Sequence, residues 1–110
     1  MDIADWRKKI DGLDRELVEL ISRRAQAAHE IGKLKRVEGM PIYEPDREKA
    51  VFDQVRKINP GPLPERDLLR IYERILDVMR QIQREEIAPE QPAQQSAEPG
   101  STELDAEVND

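Results

Sequence analysis

A chain of 110 residues, 37% hydrophobic and 38% charged, has room for one small domain, and with one Phe, one Trp and two Tyr its core must come from Leu, Ile, Val and Ala. The absence of Cys excludes disulfide frameworks, thiolate metal sites and Cys nucleophiles, the single His29 cannot anchor a His-rich metal site or a Ser-His-Asp triad, and five scattered Gly make no phosphate-cradling loop. The net charge of -6 lies in the C-terminal stretch, where residues 87–110 hold six acids and no Lys or Arg; residues 1–86 balance 18 bases against 18 acids, so they form no general polyanion binder.

The first predicted element is one long helix. Ile3, Trp6, Ile10, Leu13, Leu17, Leu20, Arg24, Ala27, Ile31 and Leu34 follow a 3,4 spacing without a slip. Val18, Ile21, Ala25 and Ala28 widen the stripe, so this helix calls for more than one neighbour. Gly12 and Gly32 each cost roughly 1 kcal/mol against Ala in a helix, and the pattern runs through both. Gly39 followed by Pro41 is a stop signal.

Glu44-Pro45-Asp46-Arg47-Glu48 opens a second helix, with Pro in its first turn and acids at the positive end of the dipole. Val51, Phe52, Val55 and Ile58 form its apolar face, and Asn59-Pro60-Gly61-Pro62 breaks it. Pro64-Glu65 begins a third helix, whose face is Leu68, Ile71, Tyr72, Ile75, Met79 and Ile82 and which ends near Glu86. No period-2 strand pattern occurs, so the predicted fold is all-α. Residues 87–110 carry three of the eight Pro with Gln, Ser, Ala and acids and have no apolar periodicity. They read as a disordered acidic tail beyond a helical domain of residues 1–86. No run of about 18 apolar residues is available to span a membrane. The N-terminal residues lack the features of a signal peptide, so a cytoplasmic protein is expected.

Length forces a further expectation. Thirty-six helical residues rising about 1.5 Å each span roughly 54 Å. A compact globule of 86 residues has a radius of gyration of only about 12 Å. Two shorter helices cannot cover a stripe that long and wide, and a homodimer is the simplest closed solution.

Arg24 is the one interruption of the apolar seam of helix 1. It either snorkels to the edge or pairs with a core acid, or it serves as an anion clamp, because Arg forks match carboxylates bidentately. Lys35 lies eleven residues on and projects from roughly the same side. Arg7 lies about 25 Å from Arg24 by helical rise, so the two cannot share a small ligand within one chain, though they could across a dimer. Arg47 and Glu48 read as capping or surface charge. Met79 and Gln83 stand at i and i+4 on helix 3, and His29 falls opposite the seam as a solvated residue. Lys33-Leu34-Lys35-Arg36 lacks interleaved aromatics, so no nucleic-acid partner is expected.

The arrangement carries a resemblance. Arg7-Lys8-Lys9-Ile10-Asp11-Gly12-Leu13-Asp14, then Leu17, Leu20, Ile21, Arg23-Arg24, Ile31-Gly32-Lys33-Leu34-Lys35 and Pro41-Ile42-Tyr43-Glu44-Pro45-Asp46-Arg47-Glu48, resembles the all-helical chorismate mutase family. The likeness covers about residues 5 to 85, through Asn59-Pro60-Gly61-Pro62-Leu63 and Met79-Arg80-Gln81-Ile82-Gln83. It implies an intertwined homodimer of three-helix protomers that converts chorismate to prephenate on the way to Phe and Tyr. It places Arg24, Lys35, Arg47, Glu48 and Gln83 in one site, with Arg7 entering from the partner chain. Glu44 stands where an Asp is familiar and can still meet a substrate hydroxyl. Met79 stands where a Ser is familiar and brings no hydroxyl.

The reaction implied is a concerted [3,3] shift within a dicarboxylate, for which no cofactor, metal or nucleophile is required. Arg7 and Arg24 would pin the two carboxylates. Lys35 and Gln83 would donate to the ether oxygen as charge develops there. Glu48, with Glu44, would take the ring hydroxyl, and Arg47 would add positive potential and keep Glu48 oriented. Two alternatives stand beside this reading: an isochorismate-pyruvate lyase on the same fold, and a non-catalytic helical dimerisation module.

Overall fold

The structure is a computed structural model and describes residues 1–87. Three helices follow in order: α1 (Ile3–Glu38), α2 (Pro45–Ile58) and α3 (Glu65–Ile87), with no strand among the described residues. The boundaries fall where the local chemistry stops and starts a helix. Asp2 caps α1 through a reciprocal box, its carboxylate accepting from Asp5 N at 2.9 Å while Asp5 Oδ2 accepts from Asp2 N at 3.0 Å. Gly39 ends α1 at φ 70°, a left-handed value that a β-carbon would strain. Pro45 occupies the first turn of α2, where a missing N–H is harmless. Asn59 closes the α2–α3 turn by donating to the Leu63 carbonyl and accepting from Gly61 N. α3 runs one residue past the predicted boundary, to Ile87; the rest of the predicted acidic tail lies outside the described residues.

α3 is the central element. It packs against both α1 and α2, whereas α1 and α2 make no close backbone contact with each other. The cluster forms only on the C-terminal half of α1. Its buried apolar members are Ala28, Val55, Leu76 and Met79, too few to hold 36 residues of α1. Ile3, Trp6, Ile10, Leu13, Leu17 and Leu20 are each more than half exposed. The rod sets the long dimension of the molecule, 53 Å, close to the roughly 54 Å expected from its length.

Within the protomer Ala27, Ile31 and Leu34 of the 3,4 seam remain exposed. α3 lies instead on the adjoining face of Ala25, Ala28 and Gly32, because small residues let two backbones approach. His29 is therefore not a solvated residue opposite the packing. It sits beside α3, where its Nδ1 pairs with the Glu86 carboxylate. Two helical turns further, Arg36 Nη1 donates to the Glu86 carbonyl at 2.7 Å and satisfies an acceptor in the last turn of α3.

Candidate active site

The space left between the three helices is a cleft of about 430 Å³. Each wall is one helix face at i, i+3, i+4, i+7 spacing. α1 supplies Arg24, Ala28, Ile31 and Lys35, α2 supplies Arg47, Glu48 and Val51 with Glu44 at its N-cap, and α3 supplies Leu76, Met79, Arg80 and Gln83. Of the candidate residues, the structure brings together Arg24, Lys35, Glu44, Arg47, Glu48, Met79 and Gln83. It leaves Arg7 out, on the exposed first half of α1, seventeen residues and about 25 Å from Arg24.

Lys35 is buried, with 5% of its surface exposed. A buried ammonium is costly unless paired, and here Nζ donates to the Ile42 carbonyl at 2.8 Å and meets Glu44 Oε1 at 2.9 Å. Two of its three N–H groups are thus occupied, and the third is left for the cleft. This pairing also explains why Glu44, although it stands at the N-cap of α2, makes no side-chain capping bond. Its carboxylate is committed to Lys35.

Glu48 is held by Arg80, not by Arg47 as the sequence suggested. Arg80 Nε donates to Glu48 Oε2 at 2.6 Å, and Arg80 Nη2 donates to Asp77 Oδ1 at 2.6 Å. The guanidinium lies 5.4 Å from the centre of the Tyr43 ring. Its pKa is raised above the ordinary value, chiefly by the hydrogen bond to Glu48, so it remains a cation wherever the protein is folded. Sequence reasoning missed Arg80 because a lone Arg between Met79 and Gln83 looks like surface charge. The available signal was its position on the same face as Leu76, Met79 and Gln83, with Asp77 three residues before it.

The charges do not cancel. Four cations and two carboxylates line the cleft. Lys35 and Arg80 are neutralised by Glu44 and Glu48, while Arg24 and Arg47 have no acidic partner among the described residues. Two unspent positive charges face one cavity, and a dianion matches them.

Gln83 completes the site. Its Oε1, an acceptor, is buried without a hydrogen-bond partner, and its side chain lines the cleft, where the amide offers N–H donors as well as that acceptor. Gly32 fixes its height. A β-carbon on Gly32 would come within 3.0 Å of Gln83 Cα and 3.2 Å of Glu86 Cβ, whereas one on Gly12 would meet only the end of Arg15 at 3.8 Å. In Gly32→Ala the overpacking cost of about 1–3 kcal/mol should outweigh the gain in helix propensity of roughly 1 kcal/mol. The expected result is a lower thermal midpoint together with weaker turnover, as α3 shifts and carries Gln83 with it. A raised midpoint with unchanged turnover would show that the two backbones are not in contact there.

Three helices and a cation-rich cleft define this as a small all-α chain. The profile of the family described as chorismate mutase type II matches residues 6–84. A bifunctional chorismate mutase/prephenate dehydratase of Aquifex aeolicus is 33% identical over 79 residues, which are 68% of this chain and 22% of that protein. The chorismate mutase of Methanocaldococcus jannaschii is 39% identical over 56 residues, 51% of this chain and 57% of that one. Among solved structures, chorismate mutase (form II) from Thermus thermophilus superposes with a TM-score of 0.73 at 30% identity, covering 74% of this chain and 93% of the other. The chain belongs to the type II chorismate mutase family. It spans only about a fifth of the length of the bifunctional relatives it matches. Among the described residues no helix is long and apolar enough to cross a membrane.

Proposed function

We propose that this chain is a chorismate mutase, isomerising chorismate to prephenate without a cofactor. The observation that carries the reading is the pair of unneutralised arginines, Arg24 and Arg47, in a cleft that otherwise balances its charge. In the rearrangement one C–O bond breaks as one C–C bond forms, and no proton is transferred. The protein's task is to hold the side chain folded over the ring and to stabilise the charge that appears on the ether oxygen.

Arg24 binds one carboxylate of the substrate, and Arg7 of a second copy binds the other. Arg47, which also lines the cleft, adds positive potential there. The free N–H of Lys35 and the amide of Gln83 converge on the ether oxygen, with Glu44 holding Lys35 in place. Glu48 Oε1 has no hydrogen-bond partner among the described residues and receives the ring hydroxyl, with Glu44 beside it. Met79 gives an apolar wall. Spectroscopic assay of chorismate loss with identification of prephenate tests the reading. Turnover of isochorismate alone would make the chain a lyase, and turnover of neither would leave a helical interaction module.

The site is completed by an intertwined homodimer. The support is the row of exposed apolar residues from Ile3 to Leu20, each worth about 1.5–3 kcal/mol on burial, together with the distance that keeps Arg7 out of its own chain's cleft. Sedimentation at micromolar concentration is expected to give about twice the chain mass of 12.7 kDa, and folding and dimerisation should be lost together on dilution. A folded, fully active monomer would sink the proposal.

A further inference from the structure

We propose that Arg80 is a positioning residue for the substrate's ring hydroxyl, acting through Glu48; this rests on the chorismate mutase reading. Glu48 has two carboxylate oxygens and only one is occupied. Arg80 Nε takes Oε2 at 2.6 Å, which anchors one carboxylate oxygen and leaves Oε1 for the cleft. Arg80 is itself fixed. Asp77, one turn back on α3, holds Nη2 at 2.6 Å, and the Tyr43 ring from the α1–α2 connection lies over the guanidinium at 5.4 Å. A guanidinium does this where an ammonium would not, because its planar fork directs two N–H groups to two separate acids at set angles.

The placement gives the pair a second effect. α1 and α2 make no close backbone contact, so beyond the Lys35–Glu44 pair at the N-cap of α2 the position of Glu48 relative to Gln83 depends on how α2 sits on α3. The Arg80–Glu48 pair is the ion pair that ties those two helices inside the cleft, and it is mostly sheltered, with side-chain exposures of 24% and 19%. Because Arg80 is already spent on two acids, it adds no net charge for substrate carboxylates. Its contribution is the orientation of Glu48.

A double-mutant cycle in the full chain tests this. The variants are Arg80→Gln, Glu48→Gln, the pair together, and Arg80→Lys and Asp77→Asn as milder changes. The ring hydroxyl is present in substrate and transition state alike, so its loss should read mainly in KM. Arg80→Gln is expected to raise KM about ten-fold with a smaller change in kcat. Arg80→Lys should restore part of the loss, since Lys reaches Glu48 but not both acids. Asp77→Asn, at a half-exposed side chain that folding tolerates, should raise KM about three-fold. In the Glu48→Gln background, Arg80→Gln should add nothing. An equal further loss in that background would overturn the proposal, because Arg80 would then act on substrate directly or through the fold alone. Should Arg80→Gln fail to fold, Asp77→Asn decides, and an unchanged KM there counts against the proposal. Wild-type chain inactive on chorismate would instead defeat the underlying functional reading, which keeps the two failures apart.

Discussion

Arg7→Ala and Arg24→Ala are each expected to be nearly inactive as purified homodimers, and an equal mixture of the two is expected to regain activity. Each substitution strips a bidentate cation from a desolvated carboxylate, a loss of the order of 2–5 kcal/mol, which is about 30- to 5,000-fold in kcat/KM. Arg24 lines the cleft of its own chain, whereas Arg7 lies about 25 Å along the same helix. If Arg7 serves the partner's cleft, a heterodimer has one site with both arginines and one site with neither. Random exchange of subunits makes half of the dimers mixed, so the mixture should reach roughly a quarter of wild-type activity. Rates measured before and after mild unfolding and refolding of the mixed variants check this, with mass spectrometry to verify exchange. Verified exchange without recovery would mean that Arg7 and Arg24 do not meet across an interface, and the intertwined dimer would lose its functional argument.

Much of the helical frame was legible because it depends on local chemistry. Gly39, Pro45, Asn59 and Pro64 mark helix ends through caps and turns that need no distant partner; the Asp2 cap of α1 is equally local but emerged only with the structure. The long 3,4 seam identified α1 over its full length. Which face of α1 meets α3 was not legible, because a seam of large apolar residues and a stripe of Ala25, Ala28 and Gly32 both look like packing surfaces. The exposed seam is the one that suits a second chain, and the small stripe suits close approach within one chain. A single sequence does not rank those two uses. Gly32 was read as a cost of helix formation, although a β-carbon there would press on Gln83 at 3.0 Å. Arg24, Lys35 and Arg47 do line one cleft, and Arg7 lies outside it. Their pairing was not legible, because which acid neutralises which base depends on helix crossing. Glu44 on Lys35 and Arg80 on Glu48 are contacts between elements, nine and 32 residues apart in sequence.

Gln83→Glu should give the most informative pH profile. Gln83 lines the cleft, its amide carries two N–H donors beside the unpartnered acceptor Oε1, and an amide neither gains nor loses a proton in the working range. A Glu at this position has a reference pKa of about 4.3 and is ionised at neutral pH. Its carboxylate would face the ether oxygen just as negative charge develops there, and it would also draw Lys35 away from that oxygen. Removing one such donor costs about 10²- to 10³-fold in turnover, and replacing it with a like charge should cost at least that. Two environmental effects oppose each other in the variant: partial burial raises the carboxyl pKa, and the surplus charge of Arg24 and Arg47 lowers it. With those opposed, the protonated fraction becomes useful only toward about pH 5, where a neutral carboxyl can donate as the amide does. The variant should therefore lose turnover at pH 7 and regain part of it on acidification. Wild type carries the same Lys35, Glu44, Glu48 and Arg80 and the same His29–Glu86 pair one turn away, so it controls for every other titrating group near the cleft, and it should show no gain on the acid side. The deficit should lie in kcat more than in KM, because the interaction strengthens only as the C–O bond breaks. A Gln83→Glu enzyme equal to wild type at pH 7 would remove Gln83 from the ether oxygen and leave Lys35 as the sole donor there.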